Sequence, residues 1–243
     1  MFRHRGKART FKHNFRLATF LSFTAGLVNI CGVLALGVLT TNVTGHFAYF
    51  AATLLKDYDL SAFYYLLYIL AFLFGSFVSS FITEYFVSKG KDSPHAAAML
   101  LEIALLLFMG TFGKSLINVG CSIPLLACIL LFAMGLQNSL VSKISNSVVR
   151  TTHLTGLFTD MGIELSQLFF YKQEEQRKKL LDSIGLRTAI IVSFFLGCIT
   201  GGCMYLYIQL KVLVIAAVIL VVALIYDNLL FVYYKIRKQS KGK

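Results

Sequence analysis

Six windows of this chain are apolar for long enough to cross a lipid bilayer: Leu17–Leu39, Leu60–Thr83, Pro94–Gly113, Ser115–Ser142, Thr188–Leu210 and Val212–Tyr234. A helix rises about 1.5 Å per residue, so about 20 apolar residues cover roughly 30 Å of hydrocarbon. The windows are continuously apolar and lack the two-residue alternation of barrel strands, which predicts helices. A soluble chain of 243 residues would need far more charged surface than 14% Asp, Glu, Lys and Arg against 57% hydrophobic residues supplies, and the mean hydropathy is +0.74. The expected fold class is therefore all-α integral membrane, with six transmembrane helices. They form one transmembrane domain over residues 17–234, flanked by a basic arm (1–16) and a basic tail (235–243).

The charges give the orientation. The arm holds Arg3, Arg5, Lys7, Arg9, Lys12 and Arg16, and the tail holds Lys235, Arg237, Lys238, Lys241 and Lys243. With Lys89, Lys91 and the stretch from Lys143 to Arg187 on the same side, only Lys56, Lys114 and Lys211 of the 23 basic residues fall on the other. Basic residues collect on the cytoplasmic face, so both termini are expected there, and an even number of spans is required. The net charge of +12 comes in short runs between apolar spans and not along an aromatic-interleaved surface, which argues for anionic inner-leaflet lipid as partner and against nucleic acid. The first apolar run exceeds a signal-peptide core and is expected to stay as an anchor. The five cysteines sit inside apolar stretches with no C-x-x-C and no Cys/His spacing, so they read as small buried hydrophobes. No metal site and no cofactor are expected. The sequon Asn42-Val43-Thr44 lies at membrane depth and carries no weight.

The chain repeats itself. Ala25-Gly26-Leu27-Val28-Asn29 is matched by Met134-Gly135-Leu136-Gln137-Asn138 at an offset of 109 residues. Each is followed by a Thr-rich element, Thr40-Thr41-Asn42-Val43-Thr44-Gly45 and Thr151-Thr152-His153-Leu154-Thr155-Gly156, at an offset of 111. Gly75-Ser76 and Gly197-Cys198 follow at 122, the extra residues being assigned to a longer cytoplasmic loop around Lys172–Asp182. Three spans per half make the second half enter from the opposite face, giving two inverted three-helix repeats over about 17–113 and 115–234. Phe47–Leu55 and Leu157–Tyr171 are then re-entrant or interfacial segments. Gly and Thr at these points can also be no more than caps and close-packing sites.

Polar groups within the apolar spans supply the site residues. Unwound backbone and side chains at Asn29, Thr44, Gly45, Gln137, Asn138, Thr152, Thr155 and Gly156 are expected to bind substrate. Taken singly, Asn29, Gln137 and Asn138 read better as packing bonds across helices, and it is their recurrence as a pair that points to a site. Glu102, mid-way along the third span, and Asp227, toward the inner end of the sixth, are the candidates for coupling. A charged side chain at such depth costs roughly 2.5–3.5 kcal/mol on insertion scales, so each should face a partner or water. His46 and His153 flank the Thr-Gly elements and read more simply as satisfied polar residues than as ligands. Arg150 and Asp160 bracket the second element, where they read equally as a salt bridge that fixes it and as solvated loop charges.

The paired elements, above all Met134–Asn138 with Arg150–Gly156 and Asp160, resemble the YoaK family of bacterial membrane proteins over most of residues 15–235. The chain departs from the family pattern at Asn29-Ile30, where Asp-Ala is usual, and at Thr44-Gly45-His46, where Thr-Gly-Asn is usual. The resemblance implies a multi-pass protein of the bacterial plasma membrane, a family of unknown function described as permease-like by analogy. The expected function is a secondary transporter or permease of a small solute. The alternative is a non-transporting scaffold or assembly factor, and small-residue interfaces permit a homo-oligomer. An intramembrane enzyme is not expected, since neither G-x-S-x-G nor H-E-x-x-H occurs and Glu174-Glu175 falls in a basic stretch.

Overall fold

The structure is a computed structural model that describes residues 11–57, 60–91 and 94–240, without the side chains of residues 12, 13, 57 and 227–240. The described residues form helices and no strands. They are α1 (Phe11–Leu36), α2 (Val43–Asp57), α3 (Phe63–Ser88), α4 (Ala96–Asn118), α5 (Ile123–Ser145), α6 (Leu154–Phe170), α7 (Glu174–Ile208) and α8 (Val212–Ser240). Short 3-10 turns, Leu60–Ala62 and Gln209–Lys211, precede α3 and α8.

Five stretches are long and apolar enough to cross a membrane: Asn14–Leu36, Leu60–Ser88, Ala96–Asn118, Ile123–Ser145 and Glu174–Tyr226. The last, 53 residues long, contains α7 and the part of α8 up to Tyr226, and the helix breaks at Gln209, whose φ is +52°. Large apolar side chains cover the outside, among them Phe74, Phe77 and Phe81 stacked along α3, as suits a surface bathed in lipid tails. The protein is a multi-pass membrane protein.

The structure moves several predicted boundaries. The turn between the third and fourth spans falls at Val119–Ser122, so Lys114 belongs to the last turns of α4. Residues expected in a loop around Lys172–Asp182 are helical from Glu174 onward, and α7 runs for 35 residues where α3 runs for 26. The growth in offset from 111 to 122 is therefore about three extra turns at the start of α7, a whole number that leaves its packing face unrotated.

Two helix pairs make the most extensive contacts, α1 on α7 and α3 on α5. In both, glycine lets backbone meet backbone. A Cβ added at Gly26 would run into the carbonyl oxygen of Phe194, and one at Gly197 into that of Phe23. At the second crossing the same holds for Gly75 with the carbonyl of Phe132 and for Gly135 with that of Phe72. Gly26 meets Gly197 and Cys198, and further along Gly201 meets Leu27 and Ile30, so α1 and α7 run in the same direction. Ser76 and Cys198 add matching hydrogen bonds, Ser76 Oγ donating to the Gly135 carbonyl at 3.1 Å and Cys198 Sγ to the Gly26 carbonyl at 3.4 Å. Elsewhere α4 packs on α8, where Gly110 faces Val214 and Gly113 faces Leu210, an antiparallel register.

These contacts make a stability prediction. Gly26→Ala and Gly135→Ala force a methyl group against a backbone carbonyl and should destabilise the protein by about 1–3 kcal/mol. Gly185→Ala meets nothing within 4 Å and should be neutral or stabilising by up to about 1 kcal/mol, from helix propensity alone. Thermal unfolding in detergent reads the difference, and equal behaviour of the three variants would contradict the close crossing.

Candidate functional site

Both halves fold their first loop back along the helix they have just left. Asn29 lies about two turns before the end of α1. Its Oδ1 accepts from the Thr40 backbone N–H at 3.1 Å and from Thr41 Oγ1 at 3.0 Å. Asn138 stands about two turns before the end of α5. Its Oδ1 accepts from Thr151 Oγ1 at 3.3 Å and from Thr152 Oγ1 at 2.9 Å. The reversals that feed these bonds start at matching points, Gly37 at φ +70° after α1 and Asn146 at φ +54° after α5. Both residue types tolerate the left-handed region, glycine because it has no Cβ and asparagine because its side chain bonds locally. As a result α2 and α6 begin beside the interiors of α1 and α5 and not beside their ends.

The two starts meet. A cavity of about 500 Å3 is lined by Thr41 and Thr44 from the first half, Thr152, Thr155 and Gly156 from the second, and Ile69, Phe72, Leu73 and Ser76 of α3. No Asp, Glu, Lys or Arg is among the described residues that line it. Its polar surface is hydroxyl groups, the Asn42 amide and the His153 ring, together with the first turns of two helices, whose leading N–H groups have no intrahelical partner and whose dipoles point their positive ends inward. The ends differ in one respect. Asn42 Oδ1 accepts from Gly45 N–H at 3.0 Å and caps α2, whereas His153 makes no side-chain cap on α6.

Of the residues expected to bind substrate, Thr44, Thr152, Thr155 and Gly156 reach the cavity wall. Asn29 and Asn138 do not; each anchors its loop from behind. Gly45 gives its N–H to the Asn42 cap, and Gln137 Nε2 donates to the Leu21 carbonyl at 2.7 Å, tying α5 to α1. Glu102 is fully buried in α4, away from the cavity, and neither carboxyl oxygen has a hydrogen-bond partner among the described residues. The side chain of Asp227 lies outside the described residues. His46 is buried, its Nε2 2.8 Å from the Leu39 carbonyl and its ring edge-on to Tyr68 at 5.3 Å, so it packs and is bonded through Nε2, while Nδ1 has no hydrogen-bond partner among the described residues. Asp160 pairs with Arg187 at 2.8 Å, and not with Arg150. Glu174 and Glu175 sit exposed in the first turn of α7.

Sequence reasoning missed the α3 wall, Phe72 and Ser76 above all. The available signal was Gly75, since a residue next to a helix-crossing glycine is held close to the partner helix. Among the described residues no group of three or more His, Cys, Asp or Glu could hold a metal ion.

A family model described as "Protein of unknown function (DUF1275)" matches residues 17–226. The chain belongs to that family. It is also similar to the UPF0700 transmembrane protein YoaK of Bacillus subtilis (strain 168), 26% identical over 186 residues, which cover 75% of this chain and 80% of that protein. No solved structure matches the chain. The match over residues 17–226 takes in both Thr-Gly elements, both Asn anchors and all four crossing glycines.

The anchors can be tested one at a time. Asn29→Ala removes the acceptor of the Thr40 amide and should speed hydrogen exchange there by about 5- to 100-fold, the equivalent of roughly 1–3 kcal/mol for an orphaned donor. Asn138→Ala should leave that amide unchanged while loosening residues 151–156. Equal exchange at Thr40 in all three proteins would rule out the anchoring role.

Proposed function

We propose that this protein is a secondary transporter or permease of a small solute, bound where the two Thr-Gly elements face each other. The observation that carries the reading is the 500 Å3 cavity, to which the corresponding element of each half contributes a hydroxyl-bearing first turn. Cavities between discontinuous helices, reached by half-helices that start at mid-membrane, are a recurrent way of binding a solute inside a bilayer.

The same reading takes the fold as six crossing helices in two inverted three-helix repeats. Glu174–Tyr226 is then two crossings, because 53 residues of straight helix would extend about 80 Å, more than twice the hydrocarbon thickness. Support comes from the paired contacts. Gly26/Gly135, Gly75/Gly197, Ser76/Cys198 and, through the Thr41 and Thr152 hydroxyls, Asn29/Asn138 each make the same bond or crossing with partners at the same offsets. In this arrangement α2 and α6 are re-entrant half-helices, and the chain sits in the plasma membrane with both termini in the cytoplasm and anionic lipid along its basic face. Transport involves no catalysed reaction, so the chain is not an enzyme. Glu102, a buried carboxyl without a partner among the described residues, is the group that would carry a coupling proton, acting through α4 and not by touching solute.

The test begins with thermal stabilisation of the purified protein across a panel of small solutes, followed by uptake of any hit into proteoliposomes. A ligand at 100 times its dissociation constant should add roughly 2.7 kcal/mol. Thr44→Ala with Thr155→Ala should abolish that shift while leaving the ligand-free melting temperature nearly unchanged. Glu102→Gln should keep solute binding and lose the response of uptake to a pH gradient. Silence across the panel together with no uptake would sink the transporter reading, and gradient-driven uptake by Glu102→Gln would end the coupling role.

A further inference from the structure

A second cavity, of about 400 Å3, lies on the other side of α6. It is lined by Arg150, His153, Gly156, Asp160, Ser183 and Arg187 among others, and it shares His153 and Gly156 with the central cavity. The start of α6 is thus the wall between the two spaces. Only Leu157 of α6 is buried, and the helix packs chiefly on α7. What fastens it there is a charged cluster. Arg187 gives Nη1 to Asp160 Oδ2 at 2.8 Å and a fork to Glu164, Nε to Oε2 at 3.0 Å and Nη2 to Oε1 at 3.1 Å, while Ser183 Oγ donates to Glu164 Oε1 at 2.6 Å.

We propose that the second cavity is the cytoplasmic access chamber of the central one, and that the Arg187 cluster is the clasp that holds α6 closed between them. The proposal rests on the reading of the central cavity as a solute site and on the cytoplasmic placement of the basic face.

The other half shows why the clasp is on this side. By the same offsets Asp160 corresponds to Tyr49, Glu164 to Thr53, Ser183 to Ser61 and Arg187 to Tyr65. Tyr49 and Tyr65 stack at 5.5 Å, with His46 and Tyr68 against them. Opening the aromatic junction would expose ring surface to water with nothing gained in return. The ionic one differs, because each of its charges is well solvated once water enters, so the net hold of a part-buried pair is much smaller than its attraction, and the open state stays within thermal reach while the closed one predominates. Arg187 is 22% exposed and Asp160 51%, and both line the chamber, so water that enters it reaches the clasp. The junction between α2 and α3 is the fixed one, and the junction between α6 and α7 is the one that moves.

The experiment places a reporter thiol in the central cavity, Thr44→Cys in a background with the five native cysteines replaced, and measures its rate of modification by a charged, membrane-impermeant methanethiosulfonate. Inside-out vesicles present the cytoplasmic face and right-side-out vesicles the other. Arg187→Gln should raise the cytoplasmic rate by about tenfold or more, the scale of losing one partner of a part-buried charge pair. Glu164→Gln should raise it as well, and Arg187→Lys, which keeps the charge and loses the fork, should raise it less. The rate from the other face should stay as it was. A cytoplasmic rate unchanged in both Glu164→Gln and Arg187→Lys, in protein that stays monodisperse with its melting temperature preserved, overturns the proposal even where Arg187→Gln fails to fold. A raised rate in the reporter protein, together with no solute transport by the unsubstituted protein in any assay, would support the clasp and refute the transporter reading, so the two fail separately.

Discussion

The contact on which the rest of the structure depends is the approach of glycine to a backbone carbonyl at the α1–α7 and α3–α5 crossings. In lipid there is no hydrophobic force to press helices together, because the surrounding tails are as apolar as the side chains. Attraction must come from dispersion and hydrogen bonds at short range, and both fall away within an ångström. Removing the side chain at Gly26, Gly197, Gly75 and Gly135 brings the backbones into that range. The hydroxyl of Ser76 and the thiol of Cys198 then reach carbonyls across the crossing that they could not otherwise touch.

From that close pairing follows the placement of the polar loops. A backbone segment without helical hydrogen bonds is tolerated at membrane depth only where protein or a water-filled space satisfies it. Asn29 and Asn138 do this from inside α1 and α5, each with a single amide oxygen that takes two donors from the returning chain. Gln137 does the complementary work, holding α5 to α1 through the Leu21 carbonyl, so that the two helices carrying the anchors are themselves fixed relative to one another. The cavity between the two returning segments follows from this arrangement. It lies where two helix starts are held apart by the thickness of the paired helices behind them.

Much of this is legible in the sequence, for a physical reason. Membrane depth restricts residue choice so severely that a glycine, an asparagine or a Thr-Gly pair inside an apolar run stands out, and two such sets in the same order give matching positions. Asn29 and Asn138 were visible as a pair, although their part is to hold loops and not to bind solute. The α3 wall was illegible because Ile69, Phe72 and Leu73 look like any other lipid-facing residues, and only the chain reversal across from them turns that face inward. The partner of Asp160 was equally hidden. Arg150 is near it in sequence, but α6 carries Asp160 round to face α7, where Arg187 stands one turn from Ser183 on the same face. The loop expected before α7 was misplaced because Glu174–Asp182 is charged enough to read as solvated coil, and a helix that leaves the membrane keeps its hydrogen bonds and changes only its side chains.

The differences between the halves are as informative as the likeness. At the crossings the two halves use the same chemistry, since a glycine facing a carbonyl admits almost no substitution without separating the helices. At the ends of the short helices they do not. Asn42 caps α2 and His153 leaves α6 uncapped, and the α2–α3 junction is aromatic where the α6–α7 junction is ionic. A perfectly symmetric protein would hold its two short helices with equal strength. Different junctions at the two ends of an otherwise paired framework give one short helix a firmer seat than the other, and the packed crossings stay in place whichever of the two is displaced.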